Sequence, residues 1–364
     1  MRKNIGELDK NMAAEIVNRD GMDWYTIDAP GFELNGFYWR KQGELLRRIP
    51  LEITVSEELD ELAWNTAGGM LRFKSNAAEI RISVELAHFF KSDTMTALGA
   101  AGFDLYVGSG SAKYFVQSGR FDPQQNAYTT SLFGPVTEKK IREFTINFPL
   151  YSGISHLEIG LSKGAEVLPP TPWYDSRPIV YYGTSIQQGG CASRPGMSAC
   201  NQMSRLLNRP FLNFGFSGNG KGEPVMAELL AEIENPAMYI LEYDANAGSD
   251  GLRATLANFI DILRKKHPEV PILQVSKMYG AREVWMGTEF NDTRLALTDA
   301  HLDVLRQRRA AGDRNIHFLD GMTLYGTDPS ECTVDGTHAT DLGFYFEAHR
   351  MAPVIRNLLD NQEI

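Results

Sequence analysis

The chain of 364 residues is short of cysteine, of clustered positive charge and of long apolar runs. Its three cysteines, Cys191, Cys200 and Cys332, are too few for a disulfide framework, and the odd count leaves at least one thiol free. None forms a Cys-x-x-Cys pair, so they read as reduced and mostly buried, with a Cys191–Cys200 bond the one pairing left open. Lys and Arg number 36 against 46 Asp and Glu, a net charge of −10. With no basic run, neither nucleic acid nor an anionic membrane surface is expected as a partner. No stretch approaches the roughly 20 apolar residues of a membrane helix. The opening MRKNIGELDKNMAAEIV is basic but no apolar run follows it, so it is not a signal peptide. A cytoplasmic location is therefore expected, or a secreted or periplasmic one had a leader been removed. His88, His156, His267, His301, His317 and His349 lack metal-ligand spacing, and NGKG (219–222) lacks the spacing of a phosphate loop. No metal and no cofactor is expected, and nothing in the pattern sets an oligomeric state.

What is present is the balance of a globular protein, 43% apolar and 23% charged residues. The length suggests about two domains. Up to about residue 165 the pattern has the period of a half-buried strand. Ile80, Ile82, Val84 and Leu86 alternate with Arg81, Ser83 and Glu85, and Leu157, Ile159 and Leu161 repeat the style. Short alternating runs between Gly, Asn and Pro clusters predict an antiparallel sandwich. EVLPPTPWYDSRP (166–178) holds four prolines and reads as an extended connector between two separable apolar patterns, residues 1–170 and 171–364. Beyond it the texture changes. IVYYG, FLNFGF, MYILEYD, ILQVS and IHFLDG are short apolar runs separated by segments of helical spacing. Five strands alternating with helices predict an α/β domain with a parallel sheet covered on both sides.

Active groups of such a sheet belong at the carboxyl ends of its strands. There stand Gly183-Thr184-Ser185 after the first, Gly215-Phe216-Ser217-Gly218 after the second, Asp244-Ala245-Asn246 after the third, and Asp335-Gly336-Thr337-His338 after the fifth. These are the parts of an acyl-transfer site. A serine hydroxyl needs a base, here His338, and the base needs an orienting carboxylate, here Asp335. The oxyanion of a tetrahedral intermediate needs donors already in place, which the Ser185 N–H, the Gly218 N–H and the Asn246 amide can supply.

YYGTSIQQGG, NFGFSGNG, YDANAG and DGTHATDLGF resemble the four sequence blocks of the SGNH hydrolases, or GDSL esterases, across roughly residues 178–360. TAGGMLRF (66–73) and GFDLYVGSG resemble the β-sandwich that precedes this domain in one bacterial branch of the family. The resemblance implies a flavodoxin-like, three-layer α/β/α hydrolase domain after an all-β sandwich. It assigns the nucleophile to Ser185, the oxyanion donors to Ser185, Gly218 and Asn246, and the Asp-x-x-His pair to Asp335 and His338. Thr184 stands where many members have aspartate, and Asp244 and Ala247 flank Asn246 where glycine and aspartate are common. The implied activity is hydrolysis of a carboxylic ester, with an acetyl group on a carbohydrate as the implied substrate. An acyltransferase using the same triad and a catalytically silent carbohydrate-binding protein are the alternatives. Arg194 reads as a substrate ligand, a salt-bridge former or a solvent-facing residue. Trp24, Tyr25, Phe37, Tyr38 and Trp39 read as core, with a sugar platform as the rival reading.

Overall fold

The computed structural model of the protein describes residues 17–286, 288–326 and 328–360. The basic opening segment, on which the expected location rests, lies outside them. Alternation builds the first part. Ile80, Ile82, Val84 and Leu86 are all buried, because a strand sends every second side chain to one face. Among the described residues this part holds eleven strands. They are β1 (Val17–Arg19), β2 (Met22–Thr26), β3 (Glu33–Asn35), β4 (Met70–Ser75), β5 (Ile80–Leu86), β6 (Asp104–Ser109), β7 (Ala112–Ser118), β8 (Ala127–Phe133), β9 (Arg142–Asn147), β10 (Ile154–Ser162) and β11 (Val167–Leu168). One antiparallel sheet runs β1-β2-β10-β5-β8; the other runs β11-β4-β9-β6-β7, with β3 paired to β4. Ile82 and Ile159 from the first meet Leu105 and Phe144 from the second in a single core, which makes the pair a β-sandwich. Tyr25 and Phe37 are buried there, Trp24 is buried outside that core, Trp39 packs on Phe214 at 5.7 Å, and Tyr38, 36% exposed, accepts the Glu234 N–H at 2.7 Å, so four of the five pack inside and the group forms no common platform.

Beyond the proline connector come β12 (Ile179–Gly183), β13 (Phe211–Gly215), β14 (Met238–Glu242), β15 (Ile272–Val275) and β16 (Ile316–Leu319). All are parallel, in the order β13-β12-β14-β15-β16. Helices Ala199–Leu207 and Asp341–Asp360 cover one face. Helices Pro224–Ala231, Asp244–Lys266 and Thr288–Ala310 cover the other. This is the flavodoxin-like strand order, in which the chain reverses direction across the sheet beside its first strand. In open sheets of this order the ligand site belongs at that reversal, at the carboxyl ends of β12 and its neighbours. No helix among the described residues is long and apolar enough to cross a membrane.

The two sequence textures do not pack as separable bodies. Ala67, Met95, Ala100, Leu150 and Tyr151 belong to the core on one face of the parallel sheet, and Ile49, Leu59 and Ala63 to the core on the other. Arg48 is fully buried in this seam. Its guanidinium donates to the carbonyls of Asn213 (3.1 Å), Gly215 (2.7 Å) and Leu62 (2.8 Å) and lies 4.5 Å over the Phe216 ring. Burial lowers its pKa to about 9, against the ordinary arginine value. A cation held this way costs desolvation but answers three carbonyls at once. Arg48→Met keeps the volume and leaves those carbonyls without their donor. We expect urea unfolding to show a loss of about 2 kcal/mol; an unchanged or raised midpoint would mean the carbonyls find other partners.

Candidate active site

β12 ends at Gly183, and a single turn of helix, Ser185–Gln188, follows at once. Thr184 caps it. Its hydroxyl accepts the Ile186 N–H at 3.2 Å, and Gln187 Oε1 accepts the Thr184 N–H at 2.7 Å, a reciprocal capping box. Threonine at this position therefore serves as the cap of the turn. Ser185 is the first helical residue, so no intrahelical carbonyl answers its N–H. The Gly189 N–H (3.1 Å) and Gly190 N–H (2.8 Å) both bond the Ser185 carbonyl and end the turn.

The structure brings Ser185, His338 and Asp335 together. Ser185 Oγ lies 2.9 Å from His338 Nε2, and His338 Nδ1 lies 2.7 Å from Asp335 Oδ2. The other Asp335 oxygen accepts the N–H groups of Thr337 (3.0 Å) and His338 (2.8 Å), which folds the Asp-x-x-His segment into a turn. Partial burial alone would raise the Asp335 carboxyl. The bonds from the His338 ring and from these two N–H groups outweigh it and hold the pKa below the usual carboxylate value. The segment does not follow β16 directly as the sequence suggests. Two short turns, Gly321–Thr323 and Ser330–Cys332, lie between, and a bridge between Thr333 and Ala339 closes the loop.

Gly218 and Asn246 stand on the turns after β13 and β14, the strands flanking β12. Gly218 has φ +71°, a conformation glycine adopts without strain, and its missing side chain leaves open space. Its N–H makes no hydrogen bond among the described residues. Asn246 is half-buried in the first turn of Asp244–Lys266, before the break at Gly248. Its amide donates to the Phe216 carbonyl at 3.3 Å, which also accepts the Asn219 and Gly220 N–H groups at 3.1 Å. The two turns are thus tied to one another, and one amide hydrogen of Asn246 is used in the tie.

Several groups at the site carry no motif. Tyr151, from the sandwich side, donates from its buried hydroxyl to the Ser185 carbonyl at 3.3 Å. A side chain at Gly190 would lie 2.8 Å from that hydroxyl and 3.4 Å from His338 Cδ2, so glycine lets Tyr151 and the imidazole share one wall. Arg194 resolves as an ion pair. It reaches Asp104 at 2.7 Å and the Tyr106 hydroxyl at 2.6 Å, and its guanidinium lies 3.8 Å over Phe115. Asp104 is the aspartate of GFDLY, and it also accepts the Gly196 N–H at 2.8 Å. All three cysteines are free thiols, and no cluster of metal-ligating side chains occurs among the described residues.

Beneath the Ser185 turn lies a buried pair of acids. The Tyr181 hydroxyl is 2.5 Å from Glu242 at the end of β14 and 3.2 Å from Glu347 on Asp341–Asp360. One hydroxyl proton cannot serve both. Burial pushes Glu347 up to about 8, and burial together with the charge of Glu347 pushes Glu242 well above the usual carboxylate range. The folded chain therefore keeps a proton that the unfolded chain gives up from about pH 4.5 onward. The stability Glu347 contributes is complete below about 4.5 and is lost as pH rises through about 8. Glu347→Gln cannot ionise. It should match the wild type in thermal melts near the lower pH and exceed it near the upper one; equal melting at both would show that the pair does not hold its proton.

Profiles of known families match both parts of the chain. That of the GDSL-like lipase/acylhydrolase family covers residues 176–356, and that of the N-terminus of SGNH-hydrolase-type esterases covers residues 22–167. A search of curated proteins gave no match. Among solved structures, a protein of Bacteroides ovatus assigned as a GDSL-like lipase is 27% identical over 93% of this chain and 98% of its own, with a TM-score of 0.85. A salicylyl-acyltransferase from a tetracycline biosynthetic pathway is 18% identical over 94% of this chain and 98% of its own (TM-score 0.73). An acetyl xylan esterase of the rumen bacterium Butyrivibrio proteoclasticus is 14% identical over 93% and 99% (TM-score 0.59). The last two are likenesses of fold. With both profiles in chain order over a β-sandwich and a five-stranded parallel sheet, the chain belongs to the GDSL/SGNH family and is an SGNH-type ester hydrolase.

Proposed function

We propose that the protein is a serine esterase that removes a small acyl group, acetyl, from a carbohydrate through an acyl-Ser185 intermediate. The observation that carries the reading is the unbroken relay from Ser185 Oγ to His338 to Asp335, at 2.9 and 2.7 Å. Ser185 Oγ attacks the ester carbonyl carbon while His338 Nε2 takes its proton. Asp335 keeps the other imidazole nitrogen protonated and steadies the cation that forms. The carbonyl oxygen takes up the negative charge and meets the N–H groups of Ser185 and Gly218 and the free amide hydrogen of Asn246. Collapse breaks the bond to the sugar oxygen, which takes the proton from His338 and leaves as the alcohol. Water then repeats the sequence on the acyl-enzyme, releases the acid and restores Ser185. Residues 1–170 are taken as the sandwich unit and 171–364 as the hydrolase unit.

Turnover of p-nitrophenyl acetate tests the relay. Ser185→Ala should lower kcat by roughly 10⁴-fold or more with the melting curve unchanged, and Asp335→Asn should lower it less. Activity of Ser185→Ala within tenfold of wild type would remove Ser185 from the mechanism. Faster release of p-nitrophenol on adding an alcohol would mark transfer in place of hydrolysis.

The amide of Asn246 meets charge only as the tetrahedral species forms. Asn246→Ala should therefore lower kcat by roughly 10²–10³-fold with KM little changed. A raised KM at constant kcat would make Asn246 a ligand of the ground state.

A further inference from the structure

On the His338 side the sandwich part of the chain packs behind the Ser185 turn. Tyr151 touches the Ser185 carbonyl and, across Gly190, stands next to the imidazole. Phe90 covers Tyr151, with ring centroids 4.9 Å apart and planes at 39°. Phe90 is itself 38% exposed, unlike the aromatic rings of the sandwich core, and so presents a free aromatic face one ring away from the main chain of Ser185. Its segment borders a cavity of about 320 Å³ whose lining mixes Phe89, Phe90 and Met95 with Lys91, Ser92 and Gln124. That volume is the lower end of the range for small-molecule sites.

The chemistry says which part of an ester belongs on this side. His338 must hand its proton to the departing oxygen, so the alcohol has to lie against the imidazole. The oxyanion donors, Gly218 and Asn246, come from the turns after β13 and β14. Across Gly190 from the imidazole stands the Tyr151 hydroxyl, and Phe90 covers the Tyr151 ring. A half-exposed aromatic face with hydroxyl, amide and ammonium groups around it suits a ring that is apolar on its C–H face and polar at its edge. We propose that Phe90 is a specificity-determining residue, the platform on which the pyranose ring of the leaving alcohol stacks. The inference rests on the esterase reading and adds the sandwich part of the chain to the recognition of substrate.

The test compares two acetates that share the acyl group and differ in the alcohol, a mono-O-acetylated methyl glucoside and ethyl acetate. In wild-type enzyme kcat/KM should favour the glucoside. Phe90→Ala should lower the ratio of the two kcat/KM values by roughly tenfold, through the KM of the glucoside, which is the loss of one stacking face. Phe90→Trp keeps a face and should keep the ratio. Equal loss on both acetates, or an unchanged ratio in Phe90→Ala, would overturn the platform. So would a wild-type enzyme that hydrolyses ethyl acetate as well as the glucoside, an outcome that leaves the esterase reading standing. Failure to turn over either acetate would instead defeat the esterase reading itself, and the platform with it.

Discussion

A helix of one turn cannot hold itself, because nucleation costs more than its few hydrogen bonds return. The Ser185–Gln188 turn is such a helix, and the geometry of the site depends on how it is braced. From within, Gln187 Oε1 accepts both the N–H and the hydroxyl of Thr184, and Asn213 of β13 donates to the Gln187 carbonyl at 2.7 Å. Gln188 accepts the Ser217 N–H from the turn after β13 at 2.9 Å and, toward the sandwich part, donates to the Leu150 carbonyl at 3.2 Å. Tyr151 completes the brace at the Ser185 carbonyl. The nucleophile is therefore set by three segments far apart in sequence, and the sandwich part supplies one of them.

Buried charge makes that arrangement specific. Asp104 is fully buried and is answered by Arg194, the Gly196 N–H and the Asn147 amide. Arg48 is buried over main-chain carbonyls at the end of β13, next to the turn that carries Gly218. Each group would be left uncompensated by a shift in the docking of the two parts, and an uncompensated buried charge costs several kcal/mol. Apolar contacts alone would tolerate sliding; these do not. The GFDLY segment thus has a physical use. Its aspartate pins the loop that follows the nucleophile turn.

The alternating and helical periods of the chain mark all five parallel strands, and three of the four motif blocks stand at strand ends, because that is where an open parallel sheet exposes its backbone; the fourth is carried in by a loop after β16. Ser185, His338 and Asp335 were legible for the same reason. Acyl transfer needs those groups, and the Asp-x-x-His spacing puts two of them on one turn. Tyr151 and Phe90 were not legible. Nothing in their local pattern differs from that of core or loop residues, and their place at the site comes from docking. The same holds for Glu242 and Glu347, which lie more than 100 residues apart and meet only through Tyr181.

Local sequence by itself determined the two textures, the strand count of the parallel sheet and the chemical parts of the relay, since each follows from periodicity or from a short spacing. Two expectations drawn from it were altered by packing. The proline connector implied separable halves, yet both faces of the parallel sheet take core residues from before it. Arg194 stood open between substrate, salt bridge and solvent, and Asp104 took it. Only the tertiary structure decided these, because a side chain's partner is chosen among groups brought within a few ångströms by folding, and no period along the chain encodes which distant segment arrives.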